Sequence, residues 1–260
     1  MREYYSDEAV TIYHGDCREV LPHLGPVESI ITDPVWPNAA VDMAGRDDPY
    51  GLFAGMCASV VDAERVVVQL GCDSDPRFLS AIPERWPFLR VCWLDYARPS
   101  YKGRLLYTGD VAYVFGTPPA FIAGRQVMSG MCRSATNSDP SSVRHTYRYG
   151  SCGTQRGADA EIALLAHPCA RRFGHVAWLV GQFSDHMVCD PFAGSGTTLL
   201  AAKKGGRRAI GIEIEERYCE IAANRCRQSV LPLHNGDNES IASNKGAWYN
   251  TTMQGGNRHE

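Results

Sequence analysis

The sequence predicts an α/β fold: a doubly wound, mostly parallel sheet carrying a small loop-rich insert. Three observations predict it. Short apolar runs alternate with segments of helical periodicity along most of the chain, the pattern of strands joined by crossover helices. Val66-Val67-Val68-Gln69-Leu70 is apolar without alternation, as a strand covered on both faces requires. The stretch from Val188 to Ala202 runs from an apolar strand through an acid and two glycines into helix-compatible leucines and alanines. Its glycines permit close backbone approach to a ligand, and the free amides of a helix start attract anionic groups.

The elements follow in order. Thr11-Ile12-Tyr13 is a short strand that exits into His14-Gly15-Asp16-Cys17, with a helical segment to about His23. Val27 to Ile31 is a second strand, leading into Thr32-Asp33-Pro34-Val35-Trp36-Pro37-Asn38. Asp47 to Glu64 has helical character, with acids at its start and Leu52, Phe53, Met56, Val60 and Val61 at helical spacing. The Val66–Leu70 strand and a short helix over Phe78 to Ile82 come next. Phe88 to Leu94 and Leu105 to Phe115, the latter interrupted at Gly109-Asp110, read as a hairpin at the sheet edge. From Gly116 to about Asp159 periodicity fades into Gly, Ser, Thr, Arg and Pro. His167-Pro168 then opens a helix with apolar positions at Phe173, Val176, Ala177, Trp178, Val180 and Phe183. The glycine-turn strand and helix, an Arg208–Glu213 strand and a helix to about Arg227 complete the domain. The domain therefore spans residues 1–233, with an insert at about 116–166. Residues 234–260, rich in Asn, Gly and Ser with almost no aliphatics, read as a disordered tail.

Composition narrows the class. At 260 residues and 44% apolar, the chain is long enough for one substantial core. It has no run of 18 or more apolar residues, so no membrane span is expected. The polar N-terminus is not a signal peptide, and ten cysteines are scattered without metal-ligand spacing. They read as reduced thiols in a cytoplasmic protein, and no metal is expected. The net charge of −3 is unevenly spread. From Arg98 to Arg156, eight basic residues (Arg98, Lys102, Arg104, Arg125, Arg133, Arg144, Arg148, Arg156) face two acids, giving +6 against −9 elsewhere. A basic stretch in an acidic scaffold suits phosphate contact; the alternative is a solvated arginine-rich loop.

In a doubly wound sheet, ligands bind beyond the carboxyl ends of the strands. Asp16, Asp33, Asp190 and Glu213 all fall at or just after predicted strand ends. Glu213 lies 23 residues after Asp190, near the offset at which an acid accepts ribose hydroxyls in nucleotide-binding folds.

The string Asp190-Pro191-Phe192-Ala193-Gly194-Ser195-Gly196-Thr197-Thr198 closely resembles the S-adenosylmethionine motif of DNA amino-methyltransferases. Asp33-Pro34-Val35-Trp36 resembles, imperfectly, the (D/N/S)-P-P-(Y/F/W) motif of enzymes that methylate an exocyclic amine; Val35 stands where the family has a second proline. On its own, Asp-Pro is also an ordinary strand-to-loop turn. Gly15-Asp16-Cys17 is similar to the family's cofactor-contacting "GDC" element. His167-Pro168-Cys169 resembles its "HP" element, though Arg171-Arg172 replaces the usual Lys-Pro. The order of motifs is that of the β group, and the similarity covers about residues 10 to 230.

The resemblance implies an S-adenosylmethionine-dependent methyltransferase fold and methyl transfer to a base amine in double-stranded DNA. Adenine N6 is preferred, because Asp at the first motif position is commoner in adenine enzymes. Asp33 and the Pro34 carbonyl would each accept an amine hydrogen, and Trp36 would stack on a flipped base. Asp16, Cys17, the 190–198 loop and Glu213 would hold the cofactor. The basic insert would face DNA, with a homodimer left open. Rival readings are cytosine N4, an amine in RNA or protein, and a non-catalytic DNA-binding protein that kept the fold.

Overall fold

The computed structural model describes residues 1–38, 43–102, 104–120, 129–133, 171 and 173–228. Residues Met1–Ser229 form one unit and Val230–Glu260 a second; the second, including the expected tail, lies outside the described residues from 230 onward. Among the described residues the strands are β1 (Arg2–Ser6), β2 (Val10–His14), β3 (Val27–Thr32), β4 (Ala63–Gly71), β5 (Phe88–Lys102), β6 (Leu105–Gly116), β7 (Met131–Arg133), β8 (Met187–Asp190) and β9 (Arg208–Glu213). The helices are α1 (Cys17–Val20), α2 (Pro49–Ser59), α3 (Phe173–Phe183), α4 (Thr197–Lys204) and α5 (Glu216–Gln228).

The strands form one sheet in the order β1-β2-β9-β8-β3-β4-β6-β5-β7. Its centre, from β2 through β9, β8 and β3 to β4, is parallel throughout. β1, β6 and β5 add antiparallel pairs at the flanks, and β7 pairs parallel with β5. The chain runs outward from β3 to β4 on one side, while β8 and β9 lie on the other. The strand order thus reverses between β3 and β8, and a crevice opens where the two strand ends diverge. Asp33 follows β3 and Asp190 ends β8.

Side chains alternate across the sheet as a period of two demands. Ile31 and Val67 join a cluster with Val176, Leu179, Leu199 and Ala222, the layer of α3, α4 and α5. Ile30, Val66 and Val68 point to the opposite cluster with Val20, Phe53, Met56 and Phe78, the layer of α1, α2 and a 3-10 turn at Pro76–Ala81. The doubly wound reading is the observed architecture. No helix among the described residues is long and apolar enough to cross a membrane.

Several expected boundaries shift for identifiable reasons. α2 is shorter than the 47–64 span: Asp48 caps it by accepting the Gly51 N–H at 2.8 Å, and Val60 turns extended. β4 then begins at Ala63, opposite Val27, three residues earlier than its valine run. Gly109-Asp110 does not interrupt β6. A Cβ on Gly109 would stand 2.5 Å from the Leu94 carbonyl oxygen, so glycine there permits close approach between β5 and β6. β7 covers β5, so the hairpin is not the outermost element. β1 is an addition: its residues are exposed or half-buried, and a strand that buries nothing leaves no apolar pattern. Of the insert expected at 116–166, residues 121–128 and 134–166 lie outside the described residues, as do His167, Pro168 and Cys169.

Candidate active site

The 190–198 turn leaves β8 with Asp190 buried. Its Oδ1 accepts the Thr32 hydroxyl at 2.8 Å and the Phe192 N–H at 3.1 Å. Burial raises the Asp190 carboxyl above its ordinary range, and the hydroxyls of Thr198 and Thr32 partly offset it. Both turn glycines are left-handed, Gly194 at φ 49° and Gly196 at φ 76°. A Cβ on Gly196 would also lie 2.7 Å from Ala222 Cβ, so this glycine lets the start of α4 press against α5. From α5, Arg225 Nη1 donates to the Ser195 carbonyl, to Ser195 Oγ at 3.2 Å and to Thr197 Oγ1 at 3.1 Å. Arg225 was not among the expected site residues, yet it holds the turn from behind.

Glu213, ending β9, is buried beside this turn. Its Oε2 accepts the Gly194 N–H and its Oε1 the Glu215 N–H, each at 2.8 Å. Burial outweighs these bonds and pushes the carboxyl up to about 7. Each carboxylate oxygen has two lone pairs, so one N–H apiece leaves room for two further donors. Asp16 caps α1 by accepting the Arg18 N–H at 2.9 Å, and its carboxylate pairs with the Arg18 guanidinium. The backbone ties this corner to β9 through the Gly15 N–H on the Glu213 carbonyl at 3.0 Å. Cys17 is buried in the core, and burial pushes its thiol up to about 12, which suits an inert packing residue.

Across the switch point, Asp33 follows β3 with 22% of its side chain exposed. Arg171 grips it with two N–H donors, Nε to Oδ2 and Nη2 to Oδ1. The same guanidinium reaches Asp110 of β6, Nη1 to Oδ2, at 3.1 Å, and Gln69 of β4 donates to that Oδ2 at 3.3 Å. The guanidinium carbon lies 3.9 Å from the centre of the Trp36 ring. Trp36 in turn packs on Gly71, where a Cβ would stand 2.6 Å from the indole. The Trp36 Nε1 donor is buried without a hydrogen-bond partner among the described residues. Burial pushes the Asp33 carboxyl up to about 6; Arg171 holds it down against the further upward push of Asp110 and Asp190.

One cleft, open to solvent, joins these two halves. Asp33 and Thr32 line one side, and Asp190, Phe192 to Ser195, Thr197 and Thr198 the other, with Gln69, Arg171 and Val176 between. Of the other expected site residues, Pro34, Val35, Trp36, Pro191, Gly196, Glu213, Asp16 and Cys17 do not line it. Of the basic residues expected at DNA, Arg104 is exposed at the β5–β6 turn. Arg98 and Lys102 fall on β5 and Arg133 on β7, whereas Arg125, Arg144, Arg148 and Arg156 lie outside the described residues. No cluster of His, Cys, Asp and Glu suited to a metal occurs among the described residues.

Residues 180–224, which hold the end of α3, the glycine turn and Glu213, match the DNA methylase family. Over 50 residues the chain is 57% identical to the type II methyltransferase M.ScaI of Streptomyces caespitosus, covering 19% of this chain and 16% of that enzyme. This chain is related to the N6/N4 DNA amino-methyltransferases. A second relative, the type II methyltransferase M2.DpnII of Streptococcus pneumoniae, is 55% identical over 38 residues, 15% of this chain and 14% of that one. The matched stretches thus span about a sixth of these relatives' length. At the level of fold, the structure of M1.HpyAVI with SAM superposes with a TM-score of 0.56 and 19% identity, covering 84% of this chain and 98% of that one. The PvuII DNA methyltransferase, described as cytosine-N4-specific, gives 0.56 and 15% identity over 89% and 90%.

For an amino-methyltransferase relative, the residues undervalued from sequence are Arg171, Asp110 and Gln69. Arg171 was visible only as a departure from Lys-Pro, and Asp110 only as an acid within a basic stretch. The fold supplies the reason for them: Asp33, Asp110 and Asp190 converge, and acids brought together in a largely desolvated cleft require a cation.

Proposed function

We propose that this chain transfers a methyl group from S-adenosylmethionine to the exocyclic N6 amine of adenine in double-stranded DNA, as a site-specific modification enzyme. One observation carries the reading: the Asp33 carboxylate and the 190–198 turn share a cleft at the point where strand order reverses. The cofactor fits the residues present. Glu213 has acceptor capacity for two ribose hydroxyls, and Gly194 and Ser195 bring backbone to the cleft wall.

When bound, the cofactor supplies an electrophilic methyl on a positively charged sulfur. The chain's own groups do the rest. The amine lone pair of adenine is delocalised into its ring, and accepting both amine hydrogens, one on Asp33 and one on the Pro34 carbonyl, favours a pyramidal nitrogen. That orients the nucleophile and stabilises the positive charge developing on it. A carboxyl held at about 6 is also a better proton acceptor than an ordinary aspartate, so Asp33 can take the proton the nitrogen releases and pass it to solvent. Trp36 offers a stacking face to a base taken out of the duplex, and the basic residues between Arg98 and Arg156 supply phosphate contacts.

The test is incubation with isotopically labelled S-adenosylmethionine and unmethylated mixed-sequence DNA, followed by nucleoside mass spectrometry. Labelled N6-methyladenine is expected, and Asp33→Ala should lower it by at least roughly a hundredfold while cofactor binding persists. Labelled N4-methylcytosine would keep the mechanism and replace the substrate. Cofactor binding with no labelled base would favour the non-catalytic reading.

A further inference from the structure

Arg171 stands where a substrate would have to stand. Its guanidinium is flat and lies 3.9 Å over the Trp36 ring, as a stacked base would. From one edge it directs two N–H donors onto the two oxygens of Asp33. An exocyclic amine is likewise a planar N–H donor at the edge of a flat ring. The guanidinium and the amine therefore compete for the same acceptor and the same aromatic face. The third donor, Nη1, reaches Asp110, whose carboxylate is held in turn by Gln69.

We propose that Arg171 is a stand-in for the target amine: it covers Asp33 and Trp36 until a base arrives, then swings off Asp33 while Asp110 retains it. This rests on the reading of the cleft as an amine-methylating site. The arrangement answers two needs. A half-buried carboxylate beside Asp110 and Asp190 requires a counter-charge when no substrate is present, and Arg171 supplies it. Retention by Asp110 keeps that cation within the acid cluster after the exchange, so Asp33 stays ionised as it takes the amine hydrogens. The cost falls on affinity: where the site is open only part of the time, apparent binding is weakened by that fraction. Arginine is suited to this in a way lysine is not, because only the planar fork both bridges a carboxylate and stacks on an indole.

The test compares the native chain with Arg171→Ala and Arg171→Lys, assaying transfer of labelled methyl to unmethylated plasmid DNA from pH 5.5 to 9, with thermal melting of each protein. At pH 8.5 both variants should show a lower KM for DNA, roughly tenfold lower if the native site is open about a tenth of the time. The acid limbs should separate them. Asp33 faces Arg171, Asp110 and Asp190, and losing the Arg171 charge moves its pKa upward. Arg171→Ala should therefore lose activity at a higher pH than the native chain, whereas Arg171→Lys, which keeps the charge, should not. An unchanged or raised KM in both variants with a fallen kcat, in chains that melt normally, would overturn the stand-in and make Arg171 a support for Asp33. Methylation by a variant where the native chain has none would support it in its strongest form. Cofactor binding without methylation by any of the three at any pH would overturn the functional reading and this proposal with it.

Discussion

Asp33, just past β3, and Glu213, at the end of β9, are under the same pressure, since burial pushes the first carboxyl up to about 6 and the second to about 7. They differ in what opposes it: a guanidinium for Asp33, two backbone N–H groups for Glu213. If Glu213 accepts the ribose hydroxyls as proposed, that difference makes cofactor binding depend on pH. Its ordinary value is 4.5, so in the free protein the ionised form costs stability as pH rises from about 4.5 to about 7. Ribose hydroxyls donate to the ionised form and favour it. Binding of S-adenosylhomocysteine, measured by calorimetry, should tighten by roughly tenfold between pH 6 and pH 8. Glu213→Gln should bind more weakly at pH 8 and flatten that dependence. Both carboxylates were legible in the sequence, because an acid after an apolar run is a local signal. Arg171 was not, since it acts on Asp33 across 138 residues of chain, and nothing local to either residue encodes the pairing.

At the scale of elements, the glycine turn does two separable jobs. Gly196 needs both its left-handed backbone and its missing side chain, for a Cβ would meet Ala222 at 2.7 Å. Gly206, just past α4, needs only the backbone: its φ is 73° and a Cβ there meets nothing within 4 Å. Gly206→Ala should therefore cost about 1–2 kcal/mol, the strain of a left-handed non-glycine residue. Gly196→Ala should cost about 2–5 kcal/mol, because overpacking between α4 and α5 adds to that strain. Urea unfolding of the two variants would measure the difference, and equal losses would mean that α5 yields to the methyl group. The turn was readable because its glycines alternate with small residues between a strand and a helix. Gly109 was misread as a break, since sequence does not distinguish a glycine that ends a strand from one that admits a neighbour's carbonyl. β1 was missed for the opposite reason, being a polar edge strand held by backbone pairing to β2 rather than by buried side chains.

At the scale of the molecule, the doubly wound sheet converts dispersed residues into one site. Asp33, Asp110 and Asp190 belong to three different stretches of chain, and the strand order β8-β3-β4-β6 brings their strands side by side. The parallel centre of that order was legible, because continuous apolar runs alternate with helices; the antiparallel flank that delivers Asp110 was legible as a hairpin but not as part of the site. The site also draws on two helices of one layer, since α4 begins in the cleft wall and α5 holds that wall through Arg225. A ligand in the cleft should therefore stabilise the whole domain rather than one loop. S-adenosylhomocysteine at a hundredfold over its Kd should add about 2.7 kcal/mol and raise the Tm by about 5–10 °C for a domain of this size. Asp33→Ala should keep that rise, because the cofactor half of the cleft is intact. Glu213→Ala should lose most of it, because both the proposed ribose acceptor and the anchor of the Gly194 N–H are gone. Equal retention in both variants would mean that the ligand stabilises the fold without leaning on β9, and that the cofactor sits elsewhere in the crevice.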